Sequence, residues 1–84
     1  MSADILDLED LRTTVAEVLD VDVAEVTDDV HFIEDLGVDS LMALEVMVVL
    51  EKKYGIKIKE TELREVTNLK RAYDLISEKL RGAR

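Results

Sequence analysis

Eighty-four residues make one small domain, near the size at which a single hydrophobic core is only marginally sufficient. The absence of cysteine excludes a disulfide framework, a cysteine-based metal site and any thiol chemistry of the chain's own. The net charge of −9 is split, with fifteen Asp/Glu against Arg12 alone in residues 1–51 and five Asp/Glu against ten Lys/Arg in residues 52–84. A −14 half of this kind repels nucleic acid, whose binding rests on phosphate neutralisation. The lysines of the +5 half are interleaved with Glu60, Glu62, Glu65 and Glu78, a mixture that reads as solvated helix faces.

Met1-Ser2-Ala3-Asp4 lacks the basic region and apolar core of a signal peptide. No apolar run reaches the roughly 18 residues of a membrane span. A soluble, cytoplasmic, monomeric protein of one domain, residues 1–84, is expected, with a frayed tail at 81–84.

In chain order, Leu8, Leu11, Val15, Val18 and Leu19 follow amphipathic spacing and predict a helix ending near Leu19 or Asp20. Asp7, Glu9 and Asp10 suit its first turn. The connection to Ser40 is long, and Val21, Val23, Val26, Val30 and Phe32 predict that it is ordered. Asp22 before Val23-Ala24-Glu25-Val26 marks a helical turn within it. Phe32, Ile33 and Leu36 are its expected apolar pins, and Gly37 supplies the freedom to turn.

A second helix is predicted from Ser40 to Tyr54, ended by Gly55. Ala43, Val46, Met47, Leu50 and Tyr54 hold core spacing, while Leu41, Leu44 and Val48 form an adjoining stripe edged by Glu45. A domain this small has little interior in which to bury both stripes, and an apolar patch left outside commonly marks a partner site. Ile56-Lys57-Ile58 is too brief for a strand and reads as a loop with Ile58 buried. A short third helix is expected from Glu60 to Val66, with Leu63 and Val66 inward. Thr67 or Asn68 then caps a last helix bearing Leu69, Ala72, Tyr73, Ile76 and Leu80. The architecture is all-α: a small four-helix bundle with a short third helix and a long ordered first loop.

Asp39 and Ser40 stand where the apolar run begins, and both are good capping residues. Ser40 is thereby placed on the surface at the positive end of a helix, where an attached anion is favoured.

The stretch Phe32-Ile33-Glu34-Asp35-Leu36-Gly37-Val38-Asp39-Ser40-Leu41 resembles the prosthetic-group attachment site of acyl carrier proteins, and the resemblance covers roughly residues 8 to 80. It implies that Ser40, next to Asp39, accepts a 4′-phosphopantetheine arm from coenzyme A through a separate phosphopantetheinyl transferase. The arm's thiol then carries acyl groups to acyl-transferring and ketosynthase-type enzymes of fatty-acid or polyketide biosynthesis. On this resemblance the second stripe is the partner face: Leu41, Leu44 and Val48, with Asp39, Glu45 and Glu51 supplying a field for basic docking surfaces. Asp39-Ser40-Leu41-Met42-Ala43-Leu44-Glu45 looks more like polyketide-type carriers. The span from Met1 to just past the last helix looks free-standing.

Other chemistries fit poorly. A calcium loop counted from Asp20 has Glu25 where glycine is required and His31 where glutamate is required. Weak divalent-ion binding by Asp28, Asp29, Glu34, Asp35 and Asp39 is the remnant of that idea. A serine hydrolase needs a base and usually a G-x-S-x-G elbow, but Ser40 lies in Val38-Asp39-Ser40-Leu41-Met42. The single histidine, His31, reads as a surface or loop-packing residue, so no catalytic role is expected. The alternative function is an unmodified acidic helical adaptor that uses the same face only to bind proteins.

Overall fold

The computed structural model describes residues 6–82. Four helices follow in order: α1 (Leu8–Leu19), α2 (Ser40–Tyr54), α3 (Glu60–Leu63) and α4 (Leu69–Gly82), with a 3₁₀ turn at Val23–Glu25 in the first loop. The described residues contain no strand. The all-α bundle with a short third helix and a long ordered first loop is therefore the observed architecture.

Each helix begins where a side chain can satisfy its orphan N–H groups. Asp7 accepts from Glu9 N at 2.9 Å to open α1, and Asn68 accepts from Arg71 N at 2.9 Å to open α4. At α3 the Glu62 carboxylate reaches back to Lys59 N at 2.8 Å. The Lys59 amide and then the Lys79 ammonium, 2.9 Å away, hold the Glu62 carboxyl below the usual carboxylate range. That ion pair ties α3 to α4. Gly55 ends α2 at φ 67°, a left-handed turn that glycine makes without steric cost.

The core is drawn from α1 (Leu11, Val15, Leu19), the loop (Val26, Phe32, Val38), α2 (Leu50), the Ile56/Ile58 connection and α4 (Leu69, Ala72, Ile76). The long loop is held by backbone as well as by apolar contacts. Phe32 N donates to Thr67 O at 2.9 Å and Val38 N to Phe32 O at 3.0 Å, so the ring is fixed inward. Arg12 adds a polar staple, donating to Val26 O and to the Glu9 and Asp28 carboxylates at 3.0 and 2.6 Å. Those carboxylates, Glu9 first, push the guanidinium still further toward its charged form.

Two expectations are corrected. Ile33 is 63% exposed and pins nothing: the turn that drives Phe32 and Leu36 toward the core leaves Ile33 on its outer side. The third helix stops at Leu63 instead of Val66, because Glu65 N and Val66 N bond three residues back, to Glu62 O and Leu63 O. Such tightening is the usual end of a short helix. The last helix includes Arg81 and Gly82, the first two residues of the expected tail. Leu80 is half-buried under that turn, and Lys79 and Arg81 complement the helix dipole. Residues 83–84 of that tail lie outside the described residues.

Candidate functional site

Ser40 is the first residue of α2, and it is exposed. Two residues place it there. Gly37 turns the chain at φ 68°, with nothing within 4 Å of where a Cβ would be, so conformation and not space demands glycine. Asp39 is the N-cap: its Oδ1 accepts from Met42 N at 2.9 Å, and its carbonyl accepts from Ala43 N at 2.9 Å. The capping duty expected of both residues therefore falls to Asp39. Among the described residues the Ser40 hydroxyl makes no hydrogen bond, which leaves it free for chemistry. No residue within the first turn of α2 is acidic, so beside the Asp39 carboxylate, which takes Met42 N, an anion on Ser40 meets the remaining N–H groups and the helix dipole.

The two stripes of α2 separate as their spacing predicts. Leu50 is buried and Ala43, Val46, Met47 and Tyr54 pack against the core. Leu41, Leu44 and Val48 are 68%, 43% and 42% exposed, and Glu45 stands exposed beside them. With Val18 and Val49, Leu44 and Val48 line a shallow groove along α1 and α2.

Glu51, expected to add to the field of this face, also has a structural bond. It is half-buried, and its Oε2 accepts from Ile58 N at 2.8 Å, so its carboxylate fastens the connection between α2 and α3. Lys53 is also occupied, bonding to Asp10 Oδ1 at 3.1 Å and Thr14 Oγ1 at 2.7 Å, while Tyr54 donates to Asp10 Oδ2 at 2.8 Å. The Tyr54 hydroxyl and then Lys53 hold the Asp10 carboxyl below its ordinary value. Burial, reinforced by Asp10, pushes the Tyr54 phenol up.

Beside Ser40 lies an apolar cleft of about 560 Å³. Val15, Leu19, Phe32, Val38, Val46, Leu63 and Val66 form its walls, with Ser40, Asp39, Glu60, Arg64 and Thr67 also lining it. Ser40 thus borders a space suited to a flexible apolar chain. The sequence alone does not reveal this cleft, because it is made by residues from α1, the loop, α2, α3 and the segment after it. The exposed Ile33 at its edge belongs to the cleft and not to the core.

His31 shapes the loop: its Nδ1 accepts from Glu34 N at 3.1 Å, inside a turn closed by His31 N donating to Asp35 Oδ2 at 2.8 Å. Among the described residues no group of three or more His, Cys, Asp or Glu side chains is placed to hold a metal ion.

Comparison with known proteins accords with this geometry. Residues 9–76 match the family described as phosphopantetheine attachment site. The chain is 58% identical over 79 residues to "Polyketide-8 synthase acyl carrier protein 2" of Streptomyces avermitilis, covering 94% of this chain and 91% of that protein. It is 38% identical over 72 residues to an acyl carrier protein of Guillardia theta, covering 86% and 89%. An acyl carrier protein of Helicobacter pylori is 39% identical over 61 residues, covering 73% and 78%. These matches favour a carrier over an unmodified adaptor. An exposed serine at a helix N-terminus, above an apolar cleft, fits a covalent phosphopantetheine group and the acyl chain it bears. The chain belongs to the acyl carrier protein family, whose members are non-catalytic carriers working through a covalently attached phosphopantetheine group.

Proposed function

We propose that Ser40 is the attachment point of the 4′-phosphopantetheine arm and that the carrier serves polyketide biosynthesis. The observation that carries the first part is the exposed Ser40 at the start of α2, on the lining of the apolar cleft. The second part is supported by the 58% identity to a polyketide synthase carrier and by the string Asp39 to Glu45.

The chemistry asked of the chain is limited. Ser40 Oγ forms one P–O bond as the pyrophosphate bond of coenzyme A breaks, its proton passing to the separate transferase and the nucleotide half leaving. Once bound, the arm supplies a thiol that holds acyl groups as thioesters. The chain's own residues do the rest. Asp39 fixes the start of α2, and the free N–H groups there favour the phosphate. The cleft walls, including Phe32, Leu63 and Val66, shelter an acyl chain from water.

Leu41, Leu44 and Val48, edged by Glu45, form the face on which the phosphopantetheinyl transferase and the acyl-transferring and ketosynthase-type enzymes dock. The carrier acts as a monomer in the cytoplasm, alongside those enzymes. No helix among the described residues is long and apolar enough to cross a membrane.

Incubation with coenzyme A, Mg²⁺ and a broad-specificity phosphopantetheinyl transferase, followed by intact mass measurement, tests the assignment. The wild-type chain should gain the mass of one arm and Ser40→Ala none, with helical circular dichroism retained. An alanine variant that still gains the arm would place the site elsewhere.

A further inference from the structure

The cleft beside Ser40 is apolar in its depth and polar only at its rim. Val15, Leu19, Phe32 and Val38 are buried, whereas Asp39, Ser40, Glu60 and Arg64 are exposed. The rim groups differ in what they can offer an oxygen atom. Ionised Asp39 and Glu60 only accept hydrogen bonds, and Ser40 is consumed by the arm on the reading above. Only the Arg64 guanidinium and the Thr67 hydroxyl remain as side-chain donors. Arg64 is also the sole cationic residue lining this cleft among the described residues.

Arg64 is positioned but unused. Its backbone is set by its N–H, which donates to Glu60 O at 3.2 Å. Among the described residues its side chain takes part in no ion pair, although Glu60 lies one helical turn away. Arg12 shows the contrast, with its guanidinium spent on two carboxylates and a carbonyl. A chain leaving the Ser40 arm for the apolar walls passes a rim on which Arg64 is the strongest donor.

We propose that Arg64 is a specificity-determining residue for the cargo. Its guanidinium donates to a carbonyl oxygen close to the thioester, so that the cleft prefers an acyl chain oxygenated near its thioester end over a saturated chain of equal length. This rests on Ser40 as the attachment point. The arm's own amide oxygens are common to every cargo, so a comparison of two cargoes isolates the cargo oxygen.

The test loads wild-type protein with hexanoyl or 3-oxohexanoyl phosphopantetheine from the corresponding coenzyme A thioesters, with mass spectrometry confirming one group on Ser40. The Arg64 Nε–H resonance and the Leu63 and Val66 methyl resonances are then followed by NMR. The 3-oxo chain should shift the Arg64 signal and the hexanoyl chain should leave it in place. Arg64→Gln should lower the cleft-bound population of the 3-oxo chain roughly threefold to tenfold, the range of an exposed charge-assisted hydrogen bond. The hexanoyl chain should change less than about twofold, and Arg64→Lys should recover part of the loss. Equal effects of the two cargoes on Arg64, or equal effects of Arg64→Gln on the two cargoes, would overturn the assignment. Failure of wild-type protein to load at Ser40 would instead overturn the attachment reading on which it stands.

Discussion

The two halves of α2 share one backbone but do opposite work. From Lys53 to Tyr54 the helix is fastened to α1 by Asp10 and Thr14; Leu50 is sealed in the core; and Glu51 holds the following connection by Ile58 N. From Ser40 to Val48 the outer side carries a hydroxyl without a hydrogen bond among the described residues and three exposed aliphatic side chains. A helix can keep a reactive, apolar face in water only if its other end and inner stripe supply the stability. That division explains why α2 is apolar nearly all round in a domain too small to bury all of it.

The comparison is broken most severely by attacking the anchored parts. Leu50→Ala should cost about 2–5 kcal/mol and Phe32→Ala about 3–5 kcal/mol, as buried truncations do. Against a total stability of about 5 kcal/mol, either variant approaches unfolding at room temperature. Chemical denaturation monitored by circular dichroism measures this. Leu44→Ala, on the presenting half, should change stability by less than about 0.5 kcal/mol in the same assay.

The polar clamp gives a smaller effect with a pH signature. Tyr54→Phe removes the hydroxyl that bonds Asp10, and a loss of about 1 kcal/mol is expected at neutral pH. Because the folded-state pKa of Asp10 is depressed, its contribution is present above the unfolded value and disappears as pH falls through the folded one. Wild-type and Tyr54→Phe stabilities should therefore converge as pH drops below about 4. Asp10→Asn should flatten the same part of the curve.

Much of this division is legible in the sequence, and what is not has a common cause. The limits of α2 follow from Asp39 and Gly55 at the ends of a proline-free apolar run, and the inward and outward stripes follow from a 3.6-residue period. Phe32 is readable as the lone phenylalanine in a loop that has to be held down. Ile33 is not, because a turn has no period to say which neighbour faces in. The Arg12–Asp28, Asp10–Tyr54 and Glu51–Ile58 bonds join residues 7 to 44 positions apart. Such partners are chosen by tertiary proximity, and nothing local in the chain announces them. The cleft is of the same kind, since no single element contains enough of its walls.

The smallest effects sharpen the comparison at the surface. Glu45→Lys should slow arm transfer severalfold at low salt, with the defect shrinking as salt screens it over about 8–10 Å. Lys52→Glu, beyond the presenting half, should leave the rate unchanged or raise it slightly. Stopped-time mass measurements across a salt series distinguish the two. Equal sensitivity at both positions would mean that the anchored half also docks.

The most direct test of the account is to locate the arm itself. After complete reaction with coenzyme A, Mg²⁺ and transferase, fragmentation mass spectrometry assigns the added group among Ser2, Ser40 and Ser77, the three serines of the chain. The account predicts that all of it lies on Ser40. Arm mass on Ser2, Ser77 or a threonine, or none at all, would contradict it.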